Sequence, residues 1–394
     1  MNRMKIALLL TIPASFLIGA VIENSVESGY RTSKIISPVT ASIPSYTTFG
    51  TILGTMDLKM KEPVENDTRE TITLLLLGLD SRKNQKSTRC DSINLIQYGR
   101  KSKSVRITNI PRGTPVALPG MSEEGAIIAN ACSVAGIDYT VGQIEKIAKV
   151  KTDYIATVGF SQTMGILRNL NLPPSETLQS LRNRAYGLGD NQRGFNQAQF
   201  LKDAVTNHIQ EIGRLPKTVR YILYRMIDTD MDFETADRFL MELAQSGVDR
   251  DPSKINVVSL SPYANVLKEI HVEDLVKTKP VNTSDPEYQD YQLNLTDYLN
   301  SLIERNNQFL KAKNFSAVQN QVARIIDQQL WLQIDDTPTR NKLQLDLLKL
   351  YVASFKNPSE KTSMILDYSS QMEEEGNTDL KQEADKFLQE ILSN

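Results

Sequence analysis

Histidine and cysteine are almost missing from this chain, with two of each in 394 residues. The histidines, His208 and His271, lie far apart. A histidine-based zinc site or a Ser-His-Asp triad would have to be built around one of them, which argues against both. The cysteines, Cys90 and Cys132, are too few for a structural zinc site. In an exported domain they can pair, closing a loop of about 40 residues for ~3–4 kcal/mol; the alternative is two small buried thiols. Excess charge is missing too. A net charge of −2 argues against general nucleic-acid binding, so no nucleic-acid partner is expected.

One uncharged run, Ile6 to Ile22, follows Arg3 and Lys5. Its length sits between a signal-peptide core and a spanning helix. The positive residues before it place the amino terminus in the cytoplasm and the bulk of the chain outside. With no A-x-A cleavage site near Gly19-Ala20, residues 1–23 read as an uncleaved, single-pass membrane anchor; a cleaved signal peptide is the alternative. Residues 24–69, rich in Ser, Thr, Pro and Gly, read as a tether and domain entry.

The chain is organised around Thr73 to Thr114. Leu74 to Leu77, ended by Gly78, has the composition of a buried strand. A second strand is expected over Ser92 to Tyr98, and a third over Val105 to Thr108. Asp80, Arg82, Arg89, Asp91 and Arg112 therefore fall at strand edges, where loops of an α/β sheet converge. Carboxylates for a divalent cation beside arginines for oxyanions suit a phosphate-bearing ligand. Helices are expected over Glu123 to Val134, Gly142 to Val150, from Ser161 as a cap, from Ser175 through Arg182 and Arg184, over Arg193 to Ile212, Val219 to Met226 and Phe233 to Leu243. Asp228-Thr229-Asp230 offers caps between the last two. Tyr154 to Val158 and Lys254 to Leu260 add strands, and the alternation argues for an α/β sandwich.

Two separated blocks carry a resemblance. The first is Gly78-Leu79-Asp80-Ser81-Arg82, Arg89-Cys90-Asp91 and Pro111-Arg112; the second is Arg182-Asn183-Arg184, Gly189-Asp190 and Arg193-Gly194-Phe195-Asn196-Gln197. In this order they resemble the LytR–CpsA–Psr family of cell-envelope glycopolymer transferases, over roughly residues 72 to 262. Gly113 stands where that family has Asp, and Asn196 where it has a second Arg. A lysine of the family's K-I-N-x-A-Y segment and a lipid-side insertion are absent. The resemblance implies an α/β/α sandwich on a central mixed sheet over residues 70–265. It also implies a phosphotransferase that moves a glycopolymer from a polyprenyl-pyrophosphate carrier to peptidoglycan or another envelope acceptor. Asp80 and Asp91 would hold Mg2+. Read from residue type alone, they are better explained as strand-end caps or partners of Arg82 and Arg89.

Arg82, Arg89, Arg112, Arg182, Arg184 and Arg193 are candidates for a pyrophosphate clamp, since a guanidinium stays charged and grips phosphate oxygens in pairs. Surface pairing with carboxylates is the plainer alternative for each. Gln197 lies one helical turn after Arg193 and can share its site. Arg112 would stabilise the leaving phosphate, and Asp190 or Asp91 is the candidate for the acceptor's proton. Gly113 and the missing lipid-side segment keep open a second reading: a diverged, membrane-anchored protein that binds polyprenyl phosphate or scaffolds envelope partners.

Past a linker at 266–290 the pattern turns helical through 291–394. Stripes at Leu295, Tyr298, Leu299, Leu302 and Ile303, at Val318, Val322, Ile325 and Ile326, at Leu343, Leu347, Leu350 and Tyr351, and at Leu380, Ala384, Phe387, Leu388 and Ile391 predict an all-helical C-terminal domain that could take a protein partner.

Overall fold

The computed structural model describes residues 58, 61, 67–80, 89–122, 125–169, 172–182, 189–271, 286–357 and 361–393. The membrane anchor expected from Ile6 to Ile22 lies outside them. Among the described residues no helix is long and apolar enough to cross a membrane.

The apolar run at Leu74 to Leu77 is continuous because both faces of its strand are covered. In β1 (Thr71–Asp80), Leu74 and Leu76 join one hydrophobic cluster, whereas Leu75, Leu77 and Leu79 join another on the opposite face. β2 (Arg89–Gly99) and β3 (Ser104–Asn109) continue as an antiparallel meander. β4 (Tyr154–Val158) and β6 (Ile255–Ser259) pair in parallel with β1 and β3, and β5 (Asp228–Thr229) pairs antiparallel with β4. The sheet is therefore mixed, six strands in the order β5-β4-β1-β2-β3-β6. The C-terminal ends of β1, β3, β4 and β6 lie together with the N-terminal end of β2. That end carries the sequence motifs.

α1 (Ile128–Ala148) covers one face through Ile128, Ala131, Cys132 and Ile144. The two helices expected between Glu123 and Val150 run together in it, interrupted at Gly136, where φ of 82° suits glycine. Cys90 of β2 and Cys132 of α1 form a disulfide, with Cα atoms 6.0 Å apart, so the alternative of two thiols is set aside. The other face is packed by α2 (Phe160–Asn169), α3 (Pro174–Arg182), α4 (Asp190–Gly213), α5 (Lys217–Tyr224) and α6 (Phe233–Gln245). Together these make an α/β/α sandwich.

Two local expectations change. Asp228 and Thr229 form an edge strand, and Asp232 is the residue that caps α6, accepting from the Thr235 amide at 3.0 Å. Ser161 lies inside α2 rather than capping it, and its buried hydroxyl accepts from Gln333 Nε2 at 2.7 Å. α3 is described as far as Arg182, and Arg184, expected on the same helix, lies outside the described residues.

The remaining helices are α7 (Pro286–Lys311), α8 (Phe315–Asp327), α9 (Thr337–Ala353), α10 (Thr362–Glu374) and α11 (Thr378–Ser393). They bury a cluster of their own around Leu299, Val322, Trp331, Leu347 and Tyr368. This helical part seats on α2: Leu332 packs where a Cβ on Gly165 would come within 2.9 Å of it. Arg168 donates to the Leu332 carbonyl at 2.8 Å and pairs with Asp335 at 2.9 Å.

Candidate active site

A β-bulge shapes the central motif. Gly78 opposes Ser92 and Leu79 opposes Cys90, which leaves Asp91 as an extra residue on β2. The bulge brings the Asp91 carboxylate to Arg112, whose Nη1 lies 2.9 Å from its Oδ2. Their side chains are 3% and 9% exposed, so this is a buried ion pair. Two hydrogen bonds fix the turn that carries Arg112 to the start of α1: the Arg112 carbonyl accepts from the Ala129 amide at 3.1 Å and the Thr114 carbonyl from the Ile128 amide at 2.9 Å. The disulfide joins the same helix to Cys90, next to Asp91.

α4 starts at this end of the sheet. Arg193, in its first turn, is buried, and its Nη1 is 3.6 Å from Asp190 Oδ1. Asp190 is thus in the helix rather than in a turn before it. Gly194 lets the helix backbone close onto β3, since a Cβ there would meet Asn109 Oδ1 at 2.7 Å. Asn109 in turn donates to Asn94 Oδ1 at 3.3 Å, and Asn94 donates to Ser92 Oγ at 3.1 Å. A buried polar layer of Ser92, Asn94, Asn109 and Asn196 therefore underlies the first turns of α4. Among the described residues Asn109 Oδ1 and Asn196 Nδ2 make no hydrogen bond.

The sequence motifs are brought together only in part. Asp91 pairs with Arg112, and Asp190 with Arg193. Arg89 opens β2 directly across the ladder from Asp80, the last residue of β1. Gln197 turns elsewhere: it is buried, and its Nε2 donates to the Leu181 carbonyl at 3.3 Å, tying α4 to α3. Arg82 and Arg184 lie outside the described residues, as do the side chains of Asp80 and Arg182. The polar layer was missed in sequence. Its signal was there, in asparagines at strand positions 94 and 109 within otherwise apolar runs, and in Gly194 one place after Arg193.

Among the described residues no group of three His, Cys, Asp or Glu side chains is placed to hold a metal ion. Magnesium asks less of a protein, often one or two carboxylates with water and phosphate oxygens completing its shell. Asp80 and Asp91 meet that minimum in number, on neighbouring strands, Asp91 as the extra residue of the bulge and Asp80 just beyond it on β1.

Residues 47–171 match the model of the LytR_cpsA_psr family. That stretch, about a third of the chain, is similar to LytR–CpsA–Psr sequence. Over 107 residues the chain is 29% identical to the polyisoprenyl-teichoic acid–peptidoglycan teichoic acid transferase TagT of Bacillus subtilis, covering 26% of this chain and 33% of that protein. Over 105 residues it is 33% identical to the transferase of the same description, TagU, of Bacillus cereus, covering 27% and 34%. The match thus spans about a third of the length of these curated relatives. Solved structures similar to the chain include B. subtilis TagV (TM-score 0.40, 20% identity, 54% of this chain and 96% of that one). Another is TagT bound to LIIa-WTA (TM-score 0.40, 18% identity, 58% and 96%).

A cavity of about 450 Å³ opens elsewhere, between the sandwich and the helical part, and none of the motif residues lines it. Its walls carry Arg225, Asp228, Asp327 and Asp367. Enclosure by the walls pushes the Asp228 carboxyl up to about 6, although solvent reaches it. Burial, with the charge of Asp228 added, pushes Asp327 to about 6. Burial also raises Asp367, against the opposing charge of Arg225 3.4 Å away.

Proposed function

We propose that the chain is a LytR–CpsA–Psr phosphotransferase that moves a glycopolymer from a polyprenyl-pyrophosphate carrier to peptidoglycan or another envelope acceptor. The observation that carries the reading is the buried Asp91–Arg112 pair at the bulge, facing the end of the sheet where α4 begins with buried Arg193. Guanidinium groups held rigidly by carboxylates are preorganised to grip phosphate oxygens and to stabilise charge that develops on a leaving phosphate.

In the reaction the acceptor hydroxyl oxygen attacks the sugar-linked phosphorus. A new P–O ester bond forms, the P–O bond to the bridging oxygen breaks, and polyprenyl phosphate leaves with that electron pair. Arg112 and Arg193 hold the phosphoryl oxygens, with Arg82, Arg89, Arg182 and Arg184 supplying further positive charge. Asp190, on the first turn of α4, takes the hydroxyl proton. Asp80 and Asp91 would hold Mg2+, which when bound offsets negative charge on the two phosphates. The name of the curated relatives gives teichoic acid as the transferred polymer and peptidoglycan as its acceptor.

The test is mass-spectrometric detection of prenyl phosphate released from a short-chain prenyl-pyrophosphoryl sugar, with peptidoglycan as acceptor, by the full chain in detergent, with magnesium and with chelator. Magnesium-dependent release that is lost in Asp190→Asn, with folding intact, supports the reading. Thermal protection by the same ligand with no release in either condition transfers the protein to the non-enzymatic reading, a polyprenyl-phosphate binder.

A further inference from the structure

The segment after β6 has no part in the site as described, and its composition is unusual. Leu260 to Leu267, Leu-Ser-Pro-Tyr-Ala-Asn-Val-Leu, holds no charged residue. Water would be expected to select polar side chains there. Instead Leu260 is 37% exposed, Tyr263 51% and Val266 55%. Three of the largest exposed apolar side chains thus lie within seven residues, and Pro262, Ala264 and Asn265 between them are exposed as well. A cluster of this kind marks an interaction surface far more often than scattered single residues do.

The segment is held to the candidate site at both ends. The Leu260 amide donates to the Asn109 carbonyl at 2.8 Å, and Ser261 Oγ donates to Asn191 Oδ1 at 2.8 Å. Further on, Gln192 exchanges two hydrogen bonds with the Lys268 backbone, at 2.7 and 3.0 Å. His271 Nδ1 lies 3.0 Å from Asp203 on α4. The apolar residues are therefore carried on a fixed arch over the start of α4, at the same end of the sheet as Arg112. The helical part seats on α2, whereas the arch follows β6, an edge strand of the sheet, and its apolar side chains stay exposed beside that part. That part does not cover the arch.

We propose that Leu260–Leu267 is a membrane-contact loop that seats the site end of the sandwich on the outer surface of the lipid bilayer. This rests on the reading of the site as one for a lipid-carried pyrophosphate. A polyprenyl carrier keeps its tail in the bilayer, so its phosphates lie at the headgroup level and the site has to come to them. Tyrosine with aliphatic neighbours suits that level, with the ring among headgroups and the aliphatic groups below. The chain outside the sandwich permits the pose. It joins the sandwich by Lys61, whose amide donates to the Asp230 carbonyl at 2.7 Å, at the end of the sheet away from the site and about 30 Å from it. About 40 residues separate that point from the anchor expected at the amino terminus, and a chain of that length reaches well over ~100 Å.

Both cysteines of the chain are in the disulfide, so one introduced thiol is the only one to label. Val266→Cys, carrying bimane, is reconstituted as full chain in vesicles of phosphatidylethanolamine and phosphatidylglycerol containing brominated acyl chains. Lys101→Cys, in the turn at the far end of the sheet, and Leu293→Cys, an exposed apolar site on α7, are the references. The expected result is quenching several-fold stronger at 266 than at either reference, repeated at Tyr263→Cys. Equal quenching at 266 and 101, or a chain that does not float with vesicles, overturns the proposal. Quenching at 266 that appears only when prenyl phosphate is added assigns the loop to the prenyl tail and overturns the bilayer contact. Shielding of 266 that rises with protein concentration in detergent assigns it to a second copy. The readout needs no turnover: an inserted loop in a chain that releases no prenyl phosphate removes the reaction and keeps the contact, and the reverse result does the opposite.

Discussion

Arg112→Met removes a cation from a carboxylate that stays buried. Asp91 is held by Arg112 at 2.9 Å in a place where both side chains are at least nine-tenths covered. Taking away one partner of such a pair leaves a desolvated charge, at a cost of about 3–5 kcal/mol. Asp91→Asn leaves the guanidinium in the same position and falls in the same range. The double variant loses the pair without an orphaned charge, so its cost is expected to fall short of the sum by ~2–4 kcal/mol. The probe matters here. The single tryptophan, Trp331, lies in the helical cluster and reports that part of the chain. Hydrogen exchange on the amides of β2 and β3 reports the bulge directly, and protection there should drop in each single variant and partly recover in the double. Additive losses, with a coupling below ~0.5 kcal/mol, would mean that the pair is a contact without energetic consequence, and the argument for a preorganised Arg112 would go with it.

Three further outcomes are expected. Asp327 has a buried Oδ2 without a hydrogen-bond partner among the described residues, and its folded pKa of about 6 stands above the ordinary 3.8; the folded state therefore binds more protons between those values, and stability falls as pH rises from about 4 to about 6. Asp327→Asn should raise stability by ~1–2 kcal/mol at pH ~7 and leave it unchanged near pH ~4, read from Trp331 on the wall of the same cavity; a gain independent of pH would contradict the assignment. Gly194→Ala sets a methyl 2.7 Å from Asn109 Oδ1 and should cost ~1–3 kcal/mol in a urea titration, while Gly113→Asp, where a Cβ meets nothing within 4 Å, should fold with wild-type stability. Reducing the Cys90–Cys132 bond, or Cys90→Ser with Cys132→Ser, should lower stability by ~3–4 kcal/mol and loosen the β2 amides near Asp91 first; loss of protection starting in α6 would contradict that order.

What sequence could show was set by period. The strand cores at 74–77, 92–98 and 105–108 are legible because apolar or alternating runs of that length fit a sheet. Gly78 does not end the first, however, which pairs on to Asp80, and the second begins at Arg89 rather than after Asp91. The C-terminal helices are legible because their stripes keep a 3.6-residue period, and Leu299, Val322 and Leu347 are fully buried. The bulge is not legible. It is a mismatch between two strands, and neither strand shows it alone. Gln197 likewise has the spacing to share a face with Arg193, but spacing cannot reveal that the Leu181 carbonyl lies within its reach. The edge strand at Asp228–Thr229 is two residues long and takes its pairing from β4 rather than from its own composition.

Gly113 draws attention in sequence because a carboxylate beside Arg112 is missing. The bulge supplies one from another strand, through Asp91. That solution has an electrostatic consequence. Arg112 pairs with Asp91, Arg193 with Asp190, and Arg89 lies across the ladder from Asp80, so this end of the sheet carries three arginines and three aspartates. Such a set fixes geometry and offers little net attraction to a dianionic ligand. On the proposed reading, the surplus has to come from Arg82, Arg182 and Arg184, with any divalent cation adding to it. The two groups of arginines should therefore separate by experiment. Charge removal at 182 or 184 should weaken prenyl-pyrophosphate binding, with an effect that shrinks as salt is added, because screening already weakens the surplus field. Charge removal at 112 should act through the bulge and persist at high salt, since the buried pair is hidden from counter-ions.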